Sequence, residues 1–360
     1  MSMETKMSMD QLADTLRSSP ELFPHLLDAV GDTMRFIRLK RAEFEAASFL
    51  DERVLTPRTE ISLVPWPAAA HAIEHAGLEE GCHYIFHIGH VGSTLLSRLL
   101  GDLPGAFTLR EPLVLRTLAE VRGRTAPVPW AEDAATFEAH LGGCLKLLSR
   151  TFDRQQSAIV KVTSFVSEMA AELVARPAAP KAVLMYVSAE SYLATIFGGP
   201  NSRREAALLT PSRLRRLHRR VGAHPWNATA LSEGETLAMS WACEMAGLVA
   251  AAEVAGNRVL RLDFDRFLAA PERHLLAVCR HLDIPATAAQ IGALTAGPLM
   301  QRYSKGPEHA YDAALRRDVL NHARALHGAE IRRGLGWLNR AGAGHAALRA
   351  ALDFAADQTP

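Results

Sequence analysis

The sequence predicts an α/β fold in which a parallel sheet is covered by helices on both faces. Three observations carry that expectation. Short apolar runs of about five residues recur between segments with helical spacing. These runs are apolar throughout and do not alternate, as in strands buried on both faces. One of them also passes through a tight glycine loop directly into an amphipathic helix.

Taken in order, residues 8–50 read as helical, because Leu12, Leu16, Leu22, Leu26, Leu27, Val30 and Met34 recur at helical spacing with breaks near Pro20 and Gly31. A proline-containing link from Thr56-Pro57 to Pro65-Trp66-Pro67 leads to a short helix over 68–77. Tyr84–Ile88 reads as the first core strand, followed by a helix over Ser93–Leu103. Phe107–Leu109 reads as a second, short strand. Helices are expected over 112–122 and 133–150, the latter after a Pro127-Val128-Pro129 loop. Ala158–Val162 is the expected third strand, with a helix from about 165 to 175. Lys181–Val187 is the fourth, with a helix from about 190. Arg258–Leu262 is the fifth, ahead of a helix over Glu272–Leu282. The chain thus divides into a helical N-terminal extension (1–78), an α/β core (79–285) and a helical C-terminal region (286–360).

With 360 residues, 48% of them hydrophobic, the chain can build a large core. A net charge of +1 supplies no global field to attract nucleic acid or membrane. Cys82, Cys144, Cys243 and Cys279 are scattered, as reduced thiols of a cytoplasmic protein would be. Met1–Leu12 has no apolar stretch of the signal-peptide kind. The longest apolar run, Met245–Gly256, is interrupted by Glu253 and is too short to span a bilayer. His83, His87 and His90 have no carboxylate or cysteine at a spacing that completes a metal site, so no metal is expected.

The segment His83–Leu100 carries the chemistry. Strand, glycine loop and helix start together aim backbone N–H groups and a helix dipole at one point, where a phosphate is the usual occupant. Gly89-His90-Val91-Gly92 runs straight into Ser93-Thr94 without the lysine that an ATP or GTP loop of the Walker type requires. The ligand-binding edge of such a sheet is the carboxyl end of its strands.

The order of strand, loop ending in Gly-Ser-Thr-Leu-Leu, helix, and then a strand delivering Arg110-Glu111-Pro112 resembles the P-loop sulfotransferases. Two later segments are also similar to that family. One is Arg258–Glu272, with Asp263-Phe264-Asp265 and Pro271. The other is Arg302-Tyr303-Ser304-Lys305-Gly306, like the basic loop that closes over the cofactor's nucleotide. The resemblance covers roughly residues 80 to 310. It implies a P-loop-type core and 3′-phosphoadenylyl sulfate (PAPS) as co-substrate. It also implies transfer of a sulfuryl group to a hydroxyl or amine of an acceptor, whether small molecule, glycan or lipid. Residues 89–95 (Gly89, His90, Val91, Gly92, Ser93, Thr94 and Leu95) would cradle the 5′-phosphosulfate. Glu111 would be the base, and Lys161 and His90 the stabilising cations. Arg302, Ser304, Lys305 and Gly306 would close over the nucleotide.

Two positions depart from the family pattern. His90 replaces the loop's Lys or Arg, so its charge would depend on pH. Val187 replaces the arginine that binds the 3′-phosphate; Thr195 stands for the companion serine, and Arg203 with Arg204 is the nearest replacement cation. A nucleotide-dependent phosphotransferase with a degenerate loop, or a non-catalytic nucleotide-binding protein, are the alternatives.

Between Arg203 and Arg220 the arginines are dense. Arg213, Arg216 and Arg220 share one helical face, which reads either as a solvated basic surface or as the floor of a site for an anion. No aromatic residues are interleaved for stacking nucleic-acid bases.

Overall fold

After a helix over Met9–Ser18, the chain forms a three-stranded antiparallel sheet from Leu22–Asp28 (β1), Thr33–Arg38 (β2) and Ile61–Pro65 (β3), in the order β1-β2-β3. This corrects the helical reading of residues 8–50 between 22 and 38. β1 carries a bulge between Pro24 and Leu26, which resets its alternation by one residue and spaces Leu22, Leu26 and Leu27 as on a helix. In β2 the strand period is plain, with Met34 and Phe36 buried and Arg35 between them less so. A short helix, Arg41–Ala46, follows. The computed structural model describes residues 8–123, 128–131, 133–306 and 308–357. The readings of Met1–Leu12 and of the Pro127–Pro129 loop lie partly outside the described residues.

Five strands form the parallel sheet: His83–His87 (β4), Ala106–Arg110 (β5), Ser157–Lys161 (β6), Ala182–Tyr186 (β7) and Val259–Asp263 (β8). Their order is β5-β6-β4-β7-β8. All five expected core strands are present, each end within one residue of its expected place. Every residue of β5 and β7 is buried, as are all but the first residues of β4 and β6. This is the continuous burial that helices on both faces impose. The helix Ser93–Gly101 packs on β4, β5 and β6, and the helix Glu233–Ala255 contacts β4 and β8. The latter is apolar and long enough to cross a membrane by composition, but 78% of its apolar window is buried inside the fold. Trp241 on it donates to the Val187 carbonyl at 3.0 Å.

From β4 the chain moves outward on one side to β5 and β6, then crosses back to β7 and β8 on the other. The carboxyl end of β4 is therefore the point where the winding reverses, the usual place for a crevice in such sheets. The C-terminal region is helical, as expected, with Ala288–Ala296, Ala313–Gly344 (broken at His327, φ −115°, ψ 15°) and Ala346–Ala356.

Arg110 joins the N-terminal segment to the sheet. Buried at the end of β5, it donates to the carbonyls of Ala47 (2.7 Å), Glu45 (3.1 Å) and Phe44, and to the Thr108 hydroxyl (2.9 Å). The Leu50 N–H returns to the Arg110 carbonyl at 2.7 Å. These bonds bring Phe49, Asp51 and Arg53 to the carboxyl edge of the sheet.

Candidate active site

Beyond β4, Gly89 (φ +87°), His90 (φ +56°) and Gly92 (φ +66°) all take left-handed backbone. Glycine does so freely, whereas for His90 this conformation costs about 1–2 kcal/mol. Gly92 is fixed by contact as well, because a Cβ there would lie 2.0 Å from the Phe264 ring. Gly92→Ala is therefore expected to displace the loop and abolish binding of any anion held there. Retained binding with an unchanged melting temperature would show that the loop tolerates the methyl.

Gly92 is also the N-cap of the following helix, and no side chain caps it. The first N–H groups of that helix lack intrahelical partners for the same reason. The Thr94 hydroxyl is buried and unpartnered among the described residues. An anion at this point would satisfy both. His87 braces the loop from below. Its Nδ1 accepts from the Gly89 N–H at 2.9 Å and its Nε2 donates to the Val162 carbonyl at 2.8 Å. Burial, reinforced by the charges of Lys161 and Lys305, pushes its pKa well below the usual value and keeps the ring neutral. Among the described residues, no three His, Cys, Asp or Glu side chains gather as a ligand set.

Two cavities meet at the loop. The smaller, about 290 Å³, is lined by Val91 through Leu95, Thr195, Phe264, Tyr303 and Arg316, and by Arg302 and Ser304 of the late loop. The larger cleft, about 1040 Å³, holds Gly89, Glu111, Ser164 and one face of the helix Pro200–Val221. His90 and Lys305 line both. Gly306 and Arg203 line neither; the Arg203 guanidinium instead grips Glu233 at 2.7 and 2.8 Å. The late loop is tied down by Arg98 of the helix Ser93–Gly101, which donates to the Ser304 carbonyl at 2.9 Å and to the Ser48 hydroxyl at 2.8 Å.

Glu111 and Lys161 come together at the strand ends. Arg110 is in register with Lys161, and the Glu111 N–H extends the ladder to the Lys161 carbonyl at 2.6 Å. Glu111 also has left-handed backbone (φ +54°), a strained conformation that turns its side chain toward the Lys161 ammonium, with which it makes an ion pair. Lys161 is fully buried; desolvation lowers its pKa to about 8, although the Glu111 charge opposes that shift. The Phe49 ring lies 5.9 Å from the Lys161 ammonium, 5.8 Å from that of Lys305 and 3.4 Å from the Arg53 guanidinium, so one aromatic ring gathers three cations. His90 is not a fourth. Burial first, then the positive charges of Lys305, Arg213 and Lys161, push its pKa down to about 3. With this ring neutral, the positive charge beside the loop is that of Lys305 and Lys161.

Another guanidinium lines the smaller cavity. Arg316, on the helix Ala313–Gly344, is buried against Asp265 (2.9 Å) and reaches the Thr195 hydroxyl at 3.5 Å. Asp263 caps its own helix through the Arg266 N–H at 3.0 Å. The face that carries Arg213, Arg216 and Arg220 is not a solvated one. Arg213 and Arg216 are buried on Glu244, each with a contact of 2.9 Å. Arg216 and Arg220 also bind Glu168, at 3.1 and 2.8 Å. Burial alone would raise the Glu244 carboxyl; Arg216 and Arg213 hold it below its usual value.

No protein-family model matches the chain, and no curated protein matches its sequence. Among solved structures it is similar to a sulfotransferase domain from the curacin biosynthetic pathway, at 13% identity and a TM-score of 0.40, over 69% of this chain and 98% of that one. It is also similar to the sulfotransferase STF9 from Mycobacterium avium, at 12% identity and a TM-score of 0.40, over 91% and 98%. Neither likeness bears on individual residues.

Proposed function

We propose that the chain is a sulfotransferase that takes its sulfuryl group from PAPS, with the nucleotide in the smaller cavity and the acceptor in the larger cleft. The observation that carries this reading is the meeting of two cavities at a lysine-free glycine loop, with a carboxylate and a buried ammonium on the acceptor side. The smaller cavity suits the nucleotide: it offers a helix N-terminus and the unpartnered Thr94 hydroxyl for one phosphate, and Arg316 with Thr195 for a second.

Bound there, the donor would supply a sulfuryl group whose bond to the 5′-phosphate oxygen breaks as the acceptor oxygen forms its own. Glu111 accepts the acceptor's proton. Lys305, at the junction of the cavities, and Lys161 beside Glu111 stabilise the negative charge that develops on the departing oxygen. The His90 N–H donates there as a neutral group. The loop's fixed backbone means that its N–H groups need no rearrangement as that charge appears.

Titration of the purified protein with 3′,5′-adenosine bisphosphate and, separately, with ATP and Mg²⁺ tests the assignment. Tight bisphosphate binding with little ATP binding is the expected result. Binding of ATP alone would replace this reading with a phosphotransferase.

The proposal also fixes a pH dependence. Lys161 loses its proton as pH rises past about 8, so kcat should fall on the alkaline side with a midpoint near that value. Stability should move the other way. The folded pKa lies below the unfolded value of 10.5, so between those two values the unfolded chain binds the extra proton. Wild type should therefore gain stability relative to Lys161→Met as pH rises through that window, and show its largest deficit below it. Denaturant midpoints of the two proteins across pH would check the sign, and a constant gap would contradict it. His90, already neutral, contributes no limb near pH 6 to 7.

A further inference from the structure

We infer that the acceptor is an extended, anionic molecule, an acidic oligosaccharide, whose charged groups lie well away from the hydroxyl that is modified. This rests on the proposed sulfotransferase reading and concerns the larger cleft.

The argument begins with which charges remain after pairing. Asp51 holds Arg53 at 2.5 Å, Glu120 holds Arg116 at 2.9 Å, and Glu111 holds Lys161. Glu168 already binds Arg216 and Arg220 at 3.1 Å or less, and Arg219 comes no closer to it than 3.7 Å. Arg215 is exposed and has no hydrogen bond or ion pair among the described residues. Lys305 has no carboxylate partner among them either. On the other side of the balance stands Glu205 alone, whose one close contact is the neutral His90 at 3.8 Å. The cleft therefore keeps an excess of positive charge, although the chain as a whole carries only +1.

Helix geometry gives that excess a position. Leu208, Ser212, Arg215 and Arg219 follow one another at intervals of three and four residues along the helix Pro200–Val221, and all four line the cleft. Glu205, beside His90, marks the end of this stripe nearest the loop. At 1.5 Å per residue, Arg215 lies about 15 Å along the axis from Glu205, and Arg219 about 21 Å. An acceptor that reaches both the loop and these arginines must be long.

The walls favour a sugar chain over a lipid. Leu113, Phe165, Leu208 and Leu209 are the large apolar side chains of a lining that carries twelve charged ones, a poor wall for an acyl chain. Ser164 and Ser212 offer hydroxyl partners, and Leu208, an exposed apolar side chain, offers a surface for a sugar's C–H face.

The test compares binding of a galacturonate hexamer, an unsulfated chondroitin hexamer and a neutral glucose hexamer to wild type and to Arg215→Glu/Arg219→Glu, with 3′,5′-adenosine bisphosphate titrated in parallel. The expected result is that at least one uronate oligomer binds wild type more tightly than the neutral one, and that its affinity falls at least tenfold in the variant while bisphosphate affinity does not change. Equal binding of charged and neutral oligomers, or an unaltered uronate affinity in the variant, would overturn the inference. Failure of the bisphosphate to bind while a uronate oligomer does would instead remove the sulfotransferase reading and leave an anion-binding cleft.

Discussion

Glu111→Gln is expected to lower kcat by about 10²- to 10⁴-fold, the range lost when a positioned general base is removed. Affinity for 3′,5′-adenosine bisphosphate should not change, because Glu111 lines the larger cleft and not the nucleotide cavity. The amide keeps the shape of the carboxylate and can still contact Lys161, but it cannot take a proton at working pH. It also leaves a buried ammonium without its counter-charge, and breaking a buried pair in this way typically costs about 3–5 kcal/mol. Nucleotide binding therefore serves as the control for folding. A variant that binds the bisphosphate and turns over within a factor of about ten of wild type would show that the base is another group.

Arg316→Met should reduce affinity for 3′,5′-adenosine bisphosphate by about 10- to 100-fold, the equivalent of the 1.5–3 kcal/mol that a hydrogen bond to a charged group contributes. Affinity for 5′-AMP should stay close to wild type, because in the proposed placement only the 3′-phosphate meets Arg316 and Thr195. The double variant Arg316→Met/Asp265→Asn removes the carboxylate that the single change leaves unpaired, and should show the same selectivity. Equal loss of both nucleotides in both variants would mean that Arg316 supports the helix and does not contact a phosphate.

These two residues also show what was legible from the sequence. The five core strands were readable because each is a short, wholly apolar run between helical segments, and burial on both faces leaves no other pattern. The glycine loop was readable because backbone conformation confines its residue types. Glu111 and Lys161 could be placed because topology puts successive strand ends on one edge. Arg316 could not, because it reaches Thr195 from 121 residues away along the chain and nothing in local spacing marks it. The same holds for Arg98, whose bond to Ser304 spans 206 residues. The state of His90 was hidden for a related reason: burial first, and then cations on three other elements, lower its pKa, and both arise only when the fold assembles around the ring. The first strand of the N-terminal sheet was missed because a bulge disguises its period.

The bonds that Arg110 makes to Phe44, Glu45 and Ala47 bear on where the polypeptide can be severed. Proteins assembled by adding segments to an older core often survive having the addition trimmed away. A fragment starting at residue 79 would keep the whole parallel sheet. It would also strip a guanidinium at the end of β5 of most of its acceptors, and remove the Phe49 ring that gathers three cations. Residues 44–53 are thus part of the larger cleft's wall, and heat or protease should not detach them without disturbing the cleft itself.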